Sequence, residues 1–411
     1  MPPGLNCNHS SDSDGGSDSG SETSTLEYSH EPFETYQALV RELLCDLYGP
    51  DAGGIAEIVR LPGGGFNRII GVTISLNSNA KHLILRVPRF GNSDITAQVA
   101  VLRHLRPFVP VPEVESYNAT AENPLGEPYI LMHRLPGQSL DGILDELDTD
   151  ERCEIAKQVA HLIAKIHGVV LPPGVGPVCA GTKGNLRIGR APTSSPWSDE
   201  GDNKGASNDT EIHAPIPKTY VDFAISRLAE FRSNAAQGGS NQQFKVKLYD
   251  ALLHVAHWMG PMLAGSDRVV LFHRDFTPRN LLADRVGGGG RWEITAVLDW
   301  DDCEAAPYEI AAGWPSWLWQ SKAEAEGNCE ENERDPDAPV TDDESGRIKN
   351  AFLKEIEELE PDFLKTVRIT RDRRLRQIYE RAREGIWSNE HIKEVERLVM
   401  THNMFYGFWL Y

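Results

Sequence analysis

The chain has 411 residues, a formal net charge of -20 at pH 7 and 40% hydrophobic residues. That size and apolar content support two lobes or domains with substantial cores, and the acidic balance argues against duplex DNA or an anionic membrane as partner, since each needs a basic face. No apolar run approaches a membrane span, and the opening MPPGLNCNHSSDSD lacks the basic-then-apolar layout of a signal peptide, so a soluble, cytoplasmic protein is expected.

Residues 1–30 are dominated by Ser, Asp, Gly and Glu, which cannot repay the entropy of ordering, and are expected to form a disordered tail. From Glu57 to Pro88, Glu57–Leu61, a turn at Gly63-Gly64-Gly65, Ile69–Leu76 and His82–Val87 read as successive antiparallel strands. Ile95, Val99, Leu102 and Leu105 predict a helix, and Pro110–Met132 returns to extended segments. After Leu135-Pro136-Gly137 helical spacing takes over, as in Glu151–His167 with Ile155, Val159, Leu162 and Ile166 along one stripe. Polar stretches at 191–214 and 322–346 are expected as loop insertions. Apart from one hairpin, the remainder is expected to stay helical, with late helices at Ile348–Leu359, Arg371–Ile386 and His391–Met400. The six cysteines, Cys7, Cys45, Cys153, Cys179, Cys303 and Cys329, show no C-x-x-C spacing and read as free thiols.

Three segments carry chemistry. Gly63, Gly64 and Gly65 either let backbone amides approach phosphate oxygens or simply turn a hairpin. In the strand beyond, period-two alternation puts Leu83, Leu85 and Val87 on one face and Arg86 on the other, where a kinase keeps its phosphate-binding lysine; the alternative is an exposed strand arginine. The densest chemistry lies in Leu271–Trp300. There Asp275 and Asn280 fit H-x-D-x-x-x-x-N, in which the aspartate accepts a proton from an attacking hydroxyl and the asparagine holds magnesium.

The hairpin follows: Leu281-Leu282-Ala283, a glycine turn at Gly287–Gly290, then Ile294–Leu298, which delivers Asp299 as a second metal-holding carboxylate. Asp301 shares the side of Asp299 if extended geometry persists, as a metal or substrate ligand; otherwise it belongs to a solvated acidic turn. His273 is expected as a packed organiser of the loop, with Pro278 and Arg279 stiffening it and adding a cation near the phosphates. His167 reads as a capping or core histidine, and Trp314, Trp317 and Trp319 are spaced for a helix face against the core. Asp301, Asp302 and Glu304, with few basic residues nearby in sequence, suggest an acceptor pocket that favours neutral or cationic substrates.

In these residues the chain resembles the aminoglycoside phosphotransferase family, small-molecule kinases that share the protein-kinase fold; LDWDD and Pro307-Tyr308-Glu309-Ile310-Ala311 extend the match, which covers roughly Glu57 to Trp319. The resemblance implies an α+β, bilobal protein-kinase-like fold. Its small antiparallel N-lobe with one helix would span 31–133 and its larger, mainly helical C-lobe 134–411. It implies ATP and Mg2+ as cofactors and a small-molecule hydroxyl as acceptor, with Met132, His133 and Leu135 at the hinge where backbone groups meet adenine. Glu309 would brace the catalytic loop from within. The chain departs from the family pattern at Arg86, in place of the usual lysine, and at Gln98, in place of its usual glutamate partner.

A protein kinase fits less well, because Thr277 stands where a Ser/Thr kinase keeps lysine, Asp299 is not in D-F-G, and no A-P-E follows. The expected activity is therefore phosphoryl transfer to a small-molecule alcohol with Asp275 as base. The alternative is a pseudokinase that binds nucleotide without turnover.

Overall fold

The computed structural model describes residues 33–49, 55–61, 66–76, 79–89, 94–190, 215–238, 242–260, 268–287, 290–320, 340, 342–370 and 373–406. The expected tail at 1–30, the insertion at 191–214 and most of that at 322–346 lie outside them, although Asp343–Gly346 form the first turn of a helix.

The chain divides into two units, each described by itself. One holds the described residues before Asp94 together with Glu115–His133. It contains a helix, α1 (Phe33–Tyr48), and strands β1 (Ile55–Arg60), β2 (Asn67–Leu76), β3 (Asn79–Pro88), β4 (Val114–Asn118, whose first residue groups with the other unit) and β5 (Tyr129–His133). They form one sheet of order β1-β2-β3-β5-β4. The β2–β3 hairpin pairs Ile70 with Leu85 and Val72 with Leu83, so the alternation seen in sequence puts these four side chains in the core with Ile74 and Val87. Against them pack Tyr36, Val40, Leu43 and Leu44 of α1, each such burial contributing about 1.5–3 kcal/mol.

The other unit holds Asp94–Val114 and the residues from Arg134 on. Its helices are α2 (Ile95–Leu105), α3 (Leu140–Ile143), α4 (Thr149–His167), α5 (Tyr220–Gln237), α6 (Gln243–Met259), α7 (Tyr308–Ala311), α8 (Asp343–Leu359), α9 (Phe363–Thr370), α10 (Arg373–Glu384) and α11 (Asn389–Tyr406). Helix α2, expected in the first lobe, thus groups with the second. The strands are β6 (Gln138–Ser139), β7 (Gly176–Ala180), β8 (Leu186–Ile188), β9 (Val269–Phe272), β10 (Leu281–Arg285), β11 (Trp292–Val297) and β12 (Glu304–Pro307).

These strands make two sheets, β11-β10-β6 and β8-β7-β12-β9. The second corrects the expectation that everything outside the hairpin is helical. Its strands are three to five residues long, and β12 joins β9 and β7 across large sequence separations, with Glu304 opposite Phe272 and Pro177, so no local pattern announces that sheet.

Helix α4 supports the hairpin. Asp148 caps it by accepting from the Glu151 amide at 2.8 Å while Glu151 accepts from the Asp148 amide at 3.2 Å, a reciprocal pair at the helix start. Gln158 then clamps β11, donating to the Trp292 carbonyl at 2.9 Å and accepting from the Ile294 amide at 2.8 Å. Gly137, at φ +104, lies so close to the hairpin that a Cβ would meet the Ala283 carbonyl oxygen at 2.6 Å, which requires glycine there. Asp148→Ala should cost about 1 kcal/mol of stability through the cap alone; urea unfolding at neutral pH would show it, and no loss would mean the cap does not hold α4.

Candidate active site

Strand β9 ends at Phe272, and the loop that follows carries the side chains expected to do chemistry. His273 is 4% exposed. Its Nε2 lies 2.8 Å from the Leu298 carbonyl oxygen and its ring meets Trp300 edge-on at 4.6 Å between centroids. Burial lowers the imidazole pKa, opposed by the Leu298 carbonyl and the Asp299 and Asp275 carboxylates, which favours a neutral ring donating from Nε2. This is the geometry of the organiser anticipated from sequence.

Asp275 is partly exposed and its two oxygens differ. Oδ2 accepts from Arg279 Nη2 at 2.7 Å, Arg279 Nε at 3.3 Å and Asn280 Nδ2 at 2.8 Å. Oδ1 has a long contact with Thr277 Oγ1 at 3.4 Å. Burial acts to raise the carboxyl pKa, but hydrogen bonds and charge from Arg279, the Asn280 amide and nearby His273 outweigh it and hold the group below its ordinary value. Asp275 is therefore a carboxylate at neutral pH.

Asn280 is buried, and its Nδ2 also donates to the Asp275 carbonyl at 2.9 Å, which leaves the amide Oδ1 as the acceptor end. The hairpin brings this residue to Asp299. Register Leu281↔Val297 is extended by the Leu298 amide donating to the Asn280 carbonyl at 2.8 Å, so Asn280 and Asp299 stand on facing strand ends.

Asp299 is exposed and adopts φ 63, the one positive φ of a non-glycine residue among those described. A left-handed residue other than glycine costs roughly 1 kcal/mol or more. The conformation persists because both sides are pinned: Leu298 before it by Asn280 and His273, and Trp300 after it by its indole, which donates to the Val297 carbonyl at 3.0 Å. The kink ends the extension, and Asp301 and Asp302 lie in a turn, so the condition under which Asp301 would share the side of Asp299 is not met.

Asp302 and Glu304 do not make an uncompensated acidic wall, and that basis for expecting a neutral or cationic acceptor falls. Arg274 reaches Asp302 at 2.6 Å, Glu304 at 3.7 Å, Glu380 at 2.8 Å and Glu384 at 3.5 Å. Arg383 reaches Asp302 at 2.5 Å, Glu304 at 3.1 Å and Glu384 at 2.7 Å, and Tyr379 donates its hydroxyl to Glu304 at 3.1 Å. Of these counter-charges Arg383 comes from α10 and Arg274 from the loop after β9. Sequence reading missed Arg274, Tyr379 and Arg383; the basic pattern Arg381/Arg383 at the end of α10 was the signal, without a hint of its target.

The nucleotide-binding candidates fall as follows. Gly63, Gly64 and Gly65 lie outside the described residues. Arg86 sits in β3 and is buried, against the alternative of an exposed strand arginine. Met132 and His133 end β5; Met132 is buried, and His133 Nε2 lies 3.0 Å from Glu115, which also pairs with Lys81 at 2.7 Å. Leu135 is half-buried just beyond the strand. Gln98, in α2, is 7% exposed, and its Oε1 has no hydrogen-bond partner among the described residues.

His167 ends α4 buried, its Nδ1 2.9 Å from Glu360, and Glu309 is buried in α7. Trp314 and Trp319 pack on Phe352, but around a short 3₁₀ turn, Ser316–Leu318, instead of along a helix face.

Among the described residues no group of three His, Cys, Asp or Glu side chains is arranged to hold a metal, and no helix is long and apolar enough to cross a membrane. The donors at hand are the Asn280 amide oxygen and the Asp299 carboxylate. Both are hard oxygen ligands, and they fit magnesium, which keeps several waters and takes one or two carboxylates.

A curated relative, a subtelomeric hrmA-associated cluster protein of Aspergillus fumigatus, is 38% identical over 131 residues, 30% of this chain and 24% of the relative's length; a second of like description, from another strain of that fungus, matches equally. Among solved structures, the ADP-bound aminoglycoside phosphotransferase APH(2'')-Ib is similar at 14% identity and TM-score 0.46, covering 90% of this chain and 98% of that one. The Plasmodium vivax ethanolamine kinase is similar at 14% identity and TM-score 0.45, covering 95% of each chain. The model of the APH phosphotransferase enzyme family matches residues 70–339, well over half of the sequence and including the whole β10–β11 hairpin. The chain belongs to the APH family of phosphotransferase enzymes.

Proposed function

We propose that the protein is an ATP- and magnesium-dependent kinase that phosphorylates a hydroxyl of a small molecule. The observation that carries the reading is the hairpin geometry, in which one backbone bond ties Asn280 to the strand end bearing Asp299 while the Asn280 amide holds Asp275. Asp275, kept ionised by its neighbours, accepts the proton of the acceptor hydroxyl; the alcohol oxygen bonds to the γ-phosphorus, and the bond to the ADP oxygen breaks with its electron pair. Asn280 and Asp299 would hold magnesium, which when bound neutralises charge on the phosphate oxygens. Gly63, Gly64, Gly65, Arg86, Met132, His133 and Leu135 are proposed for the nucleotide. A cytoplasmic setting belongs to the same proposal.

The test is ADP release from ATP with a panel containing kanamycin, ethanolamine, choline and simple sugars, with and without magnesium. Magnesium-dependent release with at least one acceptor is expected. Asn280→Ala and Asp299→Ala should each weaken magnesium-dependent binding of a non-hydrolysable ATP analogue more than Asp301→Ala does, by calorimetry; an equal loss from Asp301→Ala would reverse the ranking. Analogue binding without release across the panel would instead support the pseudokinase, a reading that rests on Arg86 and Gln98 replacing lysine and glutamate.

A further inference from the structure

The two oxygens of Asp275 are not equivalent. Oδ2 is capped by three donor contacts from Arg279 and Asn280, whereas Oδ1 meets a hydroxyl at the limit of hydrogen-bond distance. The loop backbone does not depend on the Arg279 side chain. It is held by Ser139 Oγ, 3.3 Å from the Arg279 carbonyl, by the Asn280 amide on the Thr277 carbonyl at 3.0 Å, and by the Leu298 amide on Asn280. The Arg279 side chain is 68% exposed, and ion pairs so exposed add little to stability. Its planar fork, with two nitrogens on one carboxylate oxygen, fixes orientation in a way that a point charge does not.

We propose that Arg279 is a positioning residue for phosphoryl transfer: it locks the Asp275 carboxylate through Oδ2 so that Oδ1 faces the acceptor hydroxyl and takes its proton. The inference rests on the kinase reading above. The proton passes from the acceptor oxygen to Oδ1, the acceptor oxygen bonds to the γ-phosphorus, and ADP leaves with the electrons of the broken P–O bond. Without the fork Oδ2 keeps the Asn280 side-chain amide as its one donor, about which the carboxylate turns more freely in χ2, and fewer encounters present an oxygen in line with the O–H bond.

The experiment uses the full chain, magnesium ATP and whichever acceptor of the panel gives the highest kcat/KM. Arg279→Ala should lower kcat about ten- to hundredfold, with KM for ATP and acceptor and the melting temperature nearly unchanged. Arg279→Lys should restore part of the loss. Adding Arg279→Ala to Asp275→Asn should cost nothing further, because the arginine acts through the carboxylate. A wild-type kcat in Arg279→Ala, a loss confined to KM, or additive losses in the double variant would each overturn this role while leaving the kinase reading intact. No transfer by the wild-type protein to any acceptor would overturn the reading itself, and this role with it.

Discussion

Asp275→Asn is expected to reduce kcat on an accepted alcohol by about 10²–10⁴-fold, the range for losing a positioned general base, while nucleotide binding stays close to wild type. The asparagine keeps the shape that the Asn280 amide and the loop backbone surround. It lacks the charge that pairs with Arg279 and the basicity needed to take a proton. Steady-state kinetics alongside calorimetry with a non-hydrolysable ATP analogue separates the two effects. If the variant retained most of its kcat, the base would have to be sought elsewhere, and Asp299 would be the next carboxylate to examine.

Glu360→Ala is expected to cost about 3 kcal/mol of stability, near the lower end for breaking a buried charged network, because half-exposed Arg268 can rehydrate. Glu360 is 7% exposed and accepts from His167 at 2.9 Å, Arg268 at 2.8 Å and the Tyr308 hydroxyl at 2.9 Å, so one carboxylate joins α4, β9, α7 and the end of α8. Burial would raise its pKa, yet the hydrogen bond and charge of His167, with Arg268 and Tyr308, bring it below the ordinary value. A depressed carboxyl stabilises the fold above the pKa of an unfolded glutamate, about 4.3, and loses that contribution as pH falls through its folded pKa. Urea unfolding from pH 7 downward should therefore show a steeper acid loss in the wild type than in Glu360→Gln. A Glu360→Ala cost under about 1 kcal/mol would mean that the partners find other acceptors.

Much of the candidate site's local geometry was legible because its signals are local. His273, Asp275 and Asn280 lie in one loop, and the glycine turn with flanking apolar runs announces β10 and β11 and the arrival of Asp299 at a strand end. The left-handed turn at Asp299 was not legible, since it comes from clamps by His273 and Trp300 that alternation does not encode. Helix α1 could have been found from Tyr36, Val40, Leu43 and Leu44, which recur at helical spacing. Charge was the hardest quantity to read: Asp302 and Glu304 look unopposed along the chain, yet Arg383 pairs with them from 81 and 79 residues away.

The tie between Arg274 and Glu380 spans 106 residues. At a ribosomal pace of roughly 5–20 residues per second, that separation corresponds to about 5–20 s of synthesis. For the later part of that interval, once Glu304 has been made, the loop and its hairpin exist as finished chain, while Glu304 has Arg274 but neither Tyr379 nor Arg383 to meet it. The segment that carries Asp275 is thus complete as polypeptide before Arg274, Asp302 and Glu304 have met all their charge partners, and that electrostatic assembly waits on α10.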